Sequence, residues 1–256
     1  MILIDQMFSS DIALKLGSLA LFQSLLTGCL FSRGQRYEDF ETRTPLAEKN
    51  FLLLGFMGGR DSWKAKNHLQ GLATKFRAMR DPLLHVETVE NRKRGLAIEL
   101  IQKALDRDGN GQLEPEERAS ARLILYGQSF GGAAVVKLAR QLDKLGLPVL
   151  LTVQIDSVGR GDARIPPNVA RAASLFQRNG VLIRGEAQIV AEDPLRTTIL
   201  GNFEFDYREK RIDISAVPWH KKVFREAHTK MEHDPEVWKK VEDLILRELT
   251  ANSVVK

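Results

Sequence analysis

Arg122-Leu123-Ile124-Leu125-Tyr126-Gly127-Gln128-Ser129-Phe130-Gly131-Gly132 decides the reading of the fold. Leu123 to Tyr126 is a continuous apolar run, long enough for a buried strand. Gly127-Gln128-Ser129-Phe130-Gly131 follows with the spacing G-x-S-x-G. Ala133-Ala134-Val135-Val136-Lys137-Leu138-Ala139 then reads as a helix, closed by Gly146 and Pro148. Strand, sharp turn and helix are the setting in which this spacing presents a serine hydroxyl to solvent. The glycines on either side let neighbouring chain pass without a Cβ clash. The Phe130 amide lies where an oxyanion would form. Any glycine-rich turn between a strand and a helix can hold a serine, so the weight rests on the flanking elements.

Outward from this stretch, Phe51-Leu52-Leu53-Leu54 is a second apolar run of the kind buried on both faces of a parallel sheet. It ends in the turn Gly55-Phe56-Met57-Gly58-Gly59-Arg60. Asp61 or Ser62 can cap the next helix, with Leu69, Leu72, Phe76 and Met79 on one face. Pro82 to Val86 is a plausible strand. Gly95 to Leu105 is helical, with Leu96, Leu100, Ile101 and Leu105 inward. Val149 to Ile155 is another buried strand, ending at Asp156. Asn168 to Phe176 reads as a helix after Pro166-Pro167. Ala187 to Val190 and Thr198 to Leu200 read as the last two strands. Asp234-Pro235 opens a final helix, with Trp238, Val241, Ile245 and Leu249 inward. The alternation predicts an α/β chain with one doubly wound, mostly parallel sheet and no internal repeat.

The bulk properties bound the rest. The chain has 256 residues, 43% hydrophobic, with a net charge of +5. No Lys/Arg block is interleaved with aromatics, which speaks against nucleic acid as a partner. A single cysteine excludes an intramolecular disulfide. Its context is a basic residue, Lys15, an apolar run from Leu16 to Leu25, and Leu26-Thr27-Gly28-Cys29, which resembles a bacterial lipobox. The expectation is a signal peptide over residues 1–29, lipid attachment at Cys29, and an exported, membrane-attached lipoprotein. Asp5, Asp11 and Gln23 run against that pattern. The alternative is a cytoplasmic protein whose N-terminal amphipathic helix buries Cys29. Residues 30–50 read as a linker, and 51–256 as the folded domain.

A serine hydroxyl needs a histidine to take its proton and a carboxylate to orient the histidine. Of the three histidines after Ser129, His228 is favoured, placed on a loop just before the last helix. His220 is the competitor, and His233 lies close to the helix cap. His68 and His85 precede the serine and read as ordinary residues. Asp156, at the end of the strand after the nucleophile helix, is the favoured acid; Asp193, in an Asp-Pro turn, is the alternative. The second oxyanion donor should be the amide of Phe56 or Met57, beside that of Phe130.

With these residues placed, Phe51 to the C-terminus resembles the α/β-hydrolase superfamily in its lipase and esterase wing. The resemblance rests on the Ser129 motif, the turn from Gly55 to Gly59, Asp156 and His228. It implies a serine hydrolase acting on carboxylic esters or lipids, thioesters included, through an acyl-enzyme. The His-Gly dipeptide common at the oxyanion turn is replaced here by Leu54-Gly55. The rival reading is a non-catalytic scaffold on the same fold, with calcium as its working ligand.

A second motif carries a different chemistry. Asp106-Arg107-Asp108-Gly109-Asn110-Gly111-Gln112-Leu113-Glu114-Pro115-Glu116-Glu117 matches the EF-hand loop. Oxygen side chains stand at the first, third and fifth places, glycine at the sixth and glutamate at the twelfth. Asp106, Asp108, Asn110, the Gln112 carbonyl and Glu117 are therefore expected to ligate Ca2+. The bland reading is an acidic turn. The loop lies at the start of the strand that ends at Ser129, so its ion would be structural.

Overall fold

Apolar runs with no polar face cannot lie at a surface, and they become the middle of the sheet. The described residues of this computed structural model are 34–180 and 183–253, the side chains of 220–224 excepted. The strands are β1 (Phe51–Phe56), β2 (Leu84–Val89), β3 (Leu123–Gln128), β4 (Val149–Ile155), β5 (Arg164–Ile165), β6 (Val169–Phe176), β7 (Val190–Ala191) and β8 (Thr198–Glu204). The helices are α1 (His68–Ala78), α2 (Arg94–Leu105), α3 (Pro115–Ala119), α4 (Phe130–Lys144), α5 (Trp219–His233) and α6 (Pro235–Ser253). Six strands form one sheet in the order β2-β1-β3-β4-β6-β8, every pair parallel. β5 and β7 make a separate two-stranded sheet.

The pleat sends alternate residues to opposite faces, and each face has its own core. Leu52, Leu54, Leu123 and Leu125 pack with Leu100 and Ile101 of α2 and Val135 and Leu138 of α4. Leu53, Ile124, Tyr126 and Val153 pack with Leu69 and Phe76 of α1 and Val241 and Ile245 of α6. The sheet is thus doubly wound. β1 continues into α1 on one face and β3 into α4 on the other, so the strand order reverses between these neighbours. A crevice for ligand forms outside the carboxyl ends of strands at such a switch point.

Several elements differ from the sequence expectation. Residues 169–176 are strand β6, where a helix was expected. The alanines favour helix, but the slot between β4 and β8 is filled only by a strand, and it buries Ala172 in one core and Ala173 in the other. The cap of α1 is Asn67, whose side chain accepts the Gln70 N–H at 3.0 Å, in place of Asp61 or Ser62. Met79 follows α1 as its C-cap and is exposed. Val190 belongs to the small sheet.

Residues 35–50, expected as a linker, pack onto the domain edge and include one turn of 3-10 helix at Tyr37–Asp39. The Gln35 side chain donates to the Thr88 carbonyl and accepts from the Glu90 N–H. Glu87 accepts the Glu41 and Thr42 N–H groups, and Leu46 joins the core. The signal peptide and Cys29 lie outside the described residues. Among the described residues no helix is long and apolar enough to cross a membrane.

Candidate active site

β3 ends in the Ser129 turn, which lies at the switch point. Ser129 has φ 55° and ψ −123°, backbone space that a side chain rarely occupies. The turn is held from both sides: the Ser129 N–H donates to the Ile155 carbonyl at 2.9 Å, and the Ser129 carbonyl accepts the Val158 N–H at 3.1 Å. A Cβ at Gly127 would overlap the Gly131 carbonyl, and one at Gly131 would overlap the Phe56 carbonyl. Both glycines of the motif are therefore required by close backbone approach. Ser129 is the N-cap of α4, so its hydroxyl lies at the positive end of that helix.

Those same two bonds to Ile155 and Val158 bracket Asp156, which also has a positive φ, 42°. Its carboxylate is buried, 1% exposed, and its Oδ2 lies 2.6 Å from His228 Nδ1. A buried carboxylate needs donors, and besides the imidazole it has Gln177, whose Nε2 lies 3.1 Å from the same oxygen. His228 is 4% exposed. It sits inside α5 and not on a loop, although Arg225 breaks the helical torsions three residues before it. A carboxylate can only accept, so the ring donates to it from Nδ1, which leaves Nε2 chemically able to take up a proton. Among the described residues the Ser129 hydroxyl makes no hydrogen bond to this ring. Such contacts are often long without substrate and tighten in the complex.

The oxyanion side needs a correction. The Met57 N–H donates to the Val89 carbonyl at 2.9 Å and is committed to the sheet. Phe56 is the last ladder residue of β1, between Val89 and Gly127. With the Leu52 N–H directed to β3 and those of Phe51 and Met57 to the β2 side, alternation gives the Phe56 N–H to β3. The next residue, Gly58, abuts the serine: a Cβ there would stand 3.4 Å from Ser129 Cβ. Asn91 pins this turn, its Nδ2 donating to the Met57 carbonyl at 2.9 Å and the Gly59 carbonyl at 2.7 Å. Neither Asn91 nor Gln177 carries a sequence signal, since each acts through a loop that only the fold brings close. Phe130 opens α4, where N–H groups have no partner within the helix. Its side chain is 52% exposed beside the serine.

Among the described side chains, the candidates Asp193, His233 and His85 have other partners. Asp193 forms a local turn, accepting the Leu195 N–H at 3.0 Å. The His233 ring donates to the Thr229 carbonyl at 2.9 Å. His85 pairs with Asn50 Nδ2 at 2.8 Å, and burial pushes its pKa down. His220 lies in the first turn of α5, and its side chain is outside the described residues. An open groove of about 1110 Å³ lies between α1 and α6, lined by His68, His233 and Trp238 but not by Ser129, Asp156 or His228. Its volume is no argument for chemistry, because no buried acid–base pair faces it.

The second motif forms a closed loop between α2 and α3. Asp106 Oδ2 accepts the Gly111 N–H, Asp108 Oδ1 the Asn110 N–H and Asn110 Oδ1 the Gln112 N–H. Glu117 is buried and accepts the Arg107 and Glu114 N–H groups. Oxygens of Asp106, Asp108 and Glu117 lie within 4.8 Å of one another. Asp106 Oδ1 is a buried atom without a hydrogen-bond partner. Leu113 packs against the core of α2 and α4.

Fold and site together define a doubly wound α/β protein with a serine, a histidine and an aspartate at one sheet edge. In comparisons with known proteins, no family model matches the chain and no curated protein matches it.

Proposed function

We propose that the chain is a serine hydrolase of the α/β-hydrolase kind, cleaving carboxylic esters, thioesters included, through an acyl-enzyme. The observation that carries this reading is the buried His228–Asp156 pair at 2.6 Å, on the strand end next to a serine held at φ 55°. A buried charge-capable pair and two strained residues cost stability, and a scaffold has no use for them. In the reaction Ser129 Oγ attacks the carbonyl carbon while His228 Nε2 takes its proton. The oxyanion faces the Phe130 amide and the Gly58 turn. The imidazolium then protonates the departing alcohol or thiol as its bond to carbon breaks. Water, deprotonated by the same nitrogen, releases the acid and restores the serine. A series of p-nitrophenyl esters of graded chain length is the test. Turnover by the wild type with loss in His228→Ala is expected. Turnover retained in His228→Ala but lost in His220→Ala would reassign the base.

The loop from Asp106 to Glu117 is proposed as a structural Ca2+ site. The unpartnered Asp106 Oδ1, among oxygens of hard-cation type, favours this second role. Asp106, Asp108, Asn110, the Gln112 carbonyl and Glu117 would hold the ion at the entry to β3, away from Ser129.

Membrane attachment through Cys29 is a proposal carried by the sequence. Mass spectrometry of the membrane fraction from a bacterial host is expected to find a mature chain beginning at lipidated Cys29. A soluble product retaining Met1 overturns it.

A further inference from the structure

We infer that Gln177 is a positioning residue for Asp156, fixing which carboxylate oxygen His228 meets. This inference rests on the serine-hydrolase reading and goes on to a residue outside the expected triad. Gln177 follows β6 and is fully buried. Its Oε1 accepts the Gly180 N–H at 2.8 Å, and its Nε2 donates to the Ile183 carbonyl at 3.0 Å and to Asp156 Oδ2 at 3.1 Å. Each polar direction of the amide thus has a partner. Reversing it would turn its oxygen towards a carbonyl and a carboxylate, so its orientation is fixed. The Gln177 N–H also points at Asp156 Oδ1, at 3.4 Å.

Gly185 closes the opposite side, where a Cβ would overlap Asp156 Oδ1. The backbone at Gly185 thus packs directly against Oδ1, while Oδ2 faces the imidazole. Among the described residues, the donor and titratable groups near the carboxylate are His228 of α5, Gln177 just after β6 and Tyr207 after β8. The Tyr207 hydroxyl donates to Asp234 at 2.8 Å, and burial and the nearby carboxylates push its ionisation up. It stays neutral beside the acid. Lys210 is paired with Asp234 at 2.7 Å and Glu236 at 2.7 Å. When His228 takes the serine proton, the new cation meets a carboxylate already held in place, and no reorientation is needed in the transition state.

The test is the pH dependence of steady-state ester hydrolysis by wild type, Gln177→Met and Gln177→Glu, with thermal melting of each. Gln177→Met removes the donor at nearly constant volume. It is expected to lower kcat roughly tenfold or more with KM unchanged, the cost of a misplaced catalytic group. Gln177→Glu sets a second carboxyl against Asp156, and such a pair holds one proton well above the usual carboxylate range. The protonated Glu donates as the amide does, so activity is retained on the acid side. Its pH–rate profile is expected to carry an ionisation that wild type lacks. If Gln177→Met does not fold, Gln177→Glu decides alone. A folded Gln177→Met with wild-type kcat overturns the inference. So does a Gln177→Glu profile superimposable on wild type, or a rate loss that follows the loss of folded protein. A wild type that hydrolyses no ester and takes no fluorophosphonate adduct overturns the hydrolase reading, and this inference with it.

Discussion

The torsions of Ser129, φ 55° and ψ −123°, put a β-carbon where glycine is at ease. A residue held so costs on the order of 1–3 kcal/mol, and the ties to Ile155 and Val158 offset it. Replacing the serine with glycine removes both the hydroxyl and the strain. Ser129→Gly is therefore expected to be more stable than wild type by about 1 kcal/mol or more in urea unfolding, and inactive. Ser129→Ala should be equally inactive without the gain. A glycine variant less stable than the alanine variant would sink the strain account. Ser129, Asp156 and His228 could be singled out because the proposed nucleophile, acid and base follow a strand–turn–helix in a set order; the contact of His228 with Asp156 agrees with that choice. Gln177, Asn91 and Gly58 could not. A glutamine after a strand has no pattern of its own, and its meaning comes from a carboxylate 21 positions earlier in sequence. The donor expected at Met57 is bound instead to the Val89 carbonyl, and alternation along β1, which runs through Phe56, turns the Phe56 amide to the ladder as well.

Among the elements, apolar runs announced β1, β3 and β4, and the amphipathic stripe announced α6, because burial on both faces or on one leaves a plain pattern. β6 failed that test. Val169-Ala170-Arg171-Ala172-Ala173 has small residues and an arginine, a helical composition, and becomes a strand because β4 and β8 pair on either side of it. Arg171 is tied across the sheet to Glu248 of α6, a partner no local window contains. The loop from Asp106 to Glu117 is the reverse case, since every proposed ligand lies within twelve consecutive residues. An ion bound there favours the folded chain by RT ln(1 + [L]/Kd), about 2.7 kcal/mol at a hundredfold excess over Kd. The thermal midpoint should then rise by roughly 5–10 °C with calcium, and Glu117→Gln should abolish the rise. Coincident midpoints in calcium and in EGTA would contradict the site. β3, six residues long, separates the loop from Ser129 by on the order of 20 Å. Turnover at a temperature where both forms are folded should therefore change little.

On the scale of the whole molecule, one fact of topology makes the site. β1 turns to one face and β3 to the other, and at this switch point the Ser129 turn meets the turn after β1. The fold then brings Asp156 and His228, 72 residues apart in sequence, into contact. The doubly wound sheet was legible from alternation alone. The lateral order of its strands was not, since it depends on which surfaces fit once the helices have packed. The proposed chemistry requires that Ser129 be a nucleophile activated by the buried His228–Asp156 pair. The most direct measurement is reaction of the folded protein with a fluorophosphonate, followed by peptide mass spectrometry. One stoichiometric adduct on Ser129 is expected, strongly slowed in His228→Ala and absent in Ser129→Ala. A folded wild-type protein left unmodified, or one labelled equally fast in His228→Ala, would contradict it.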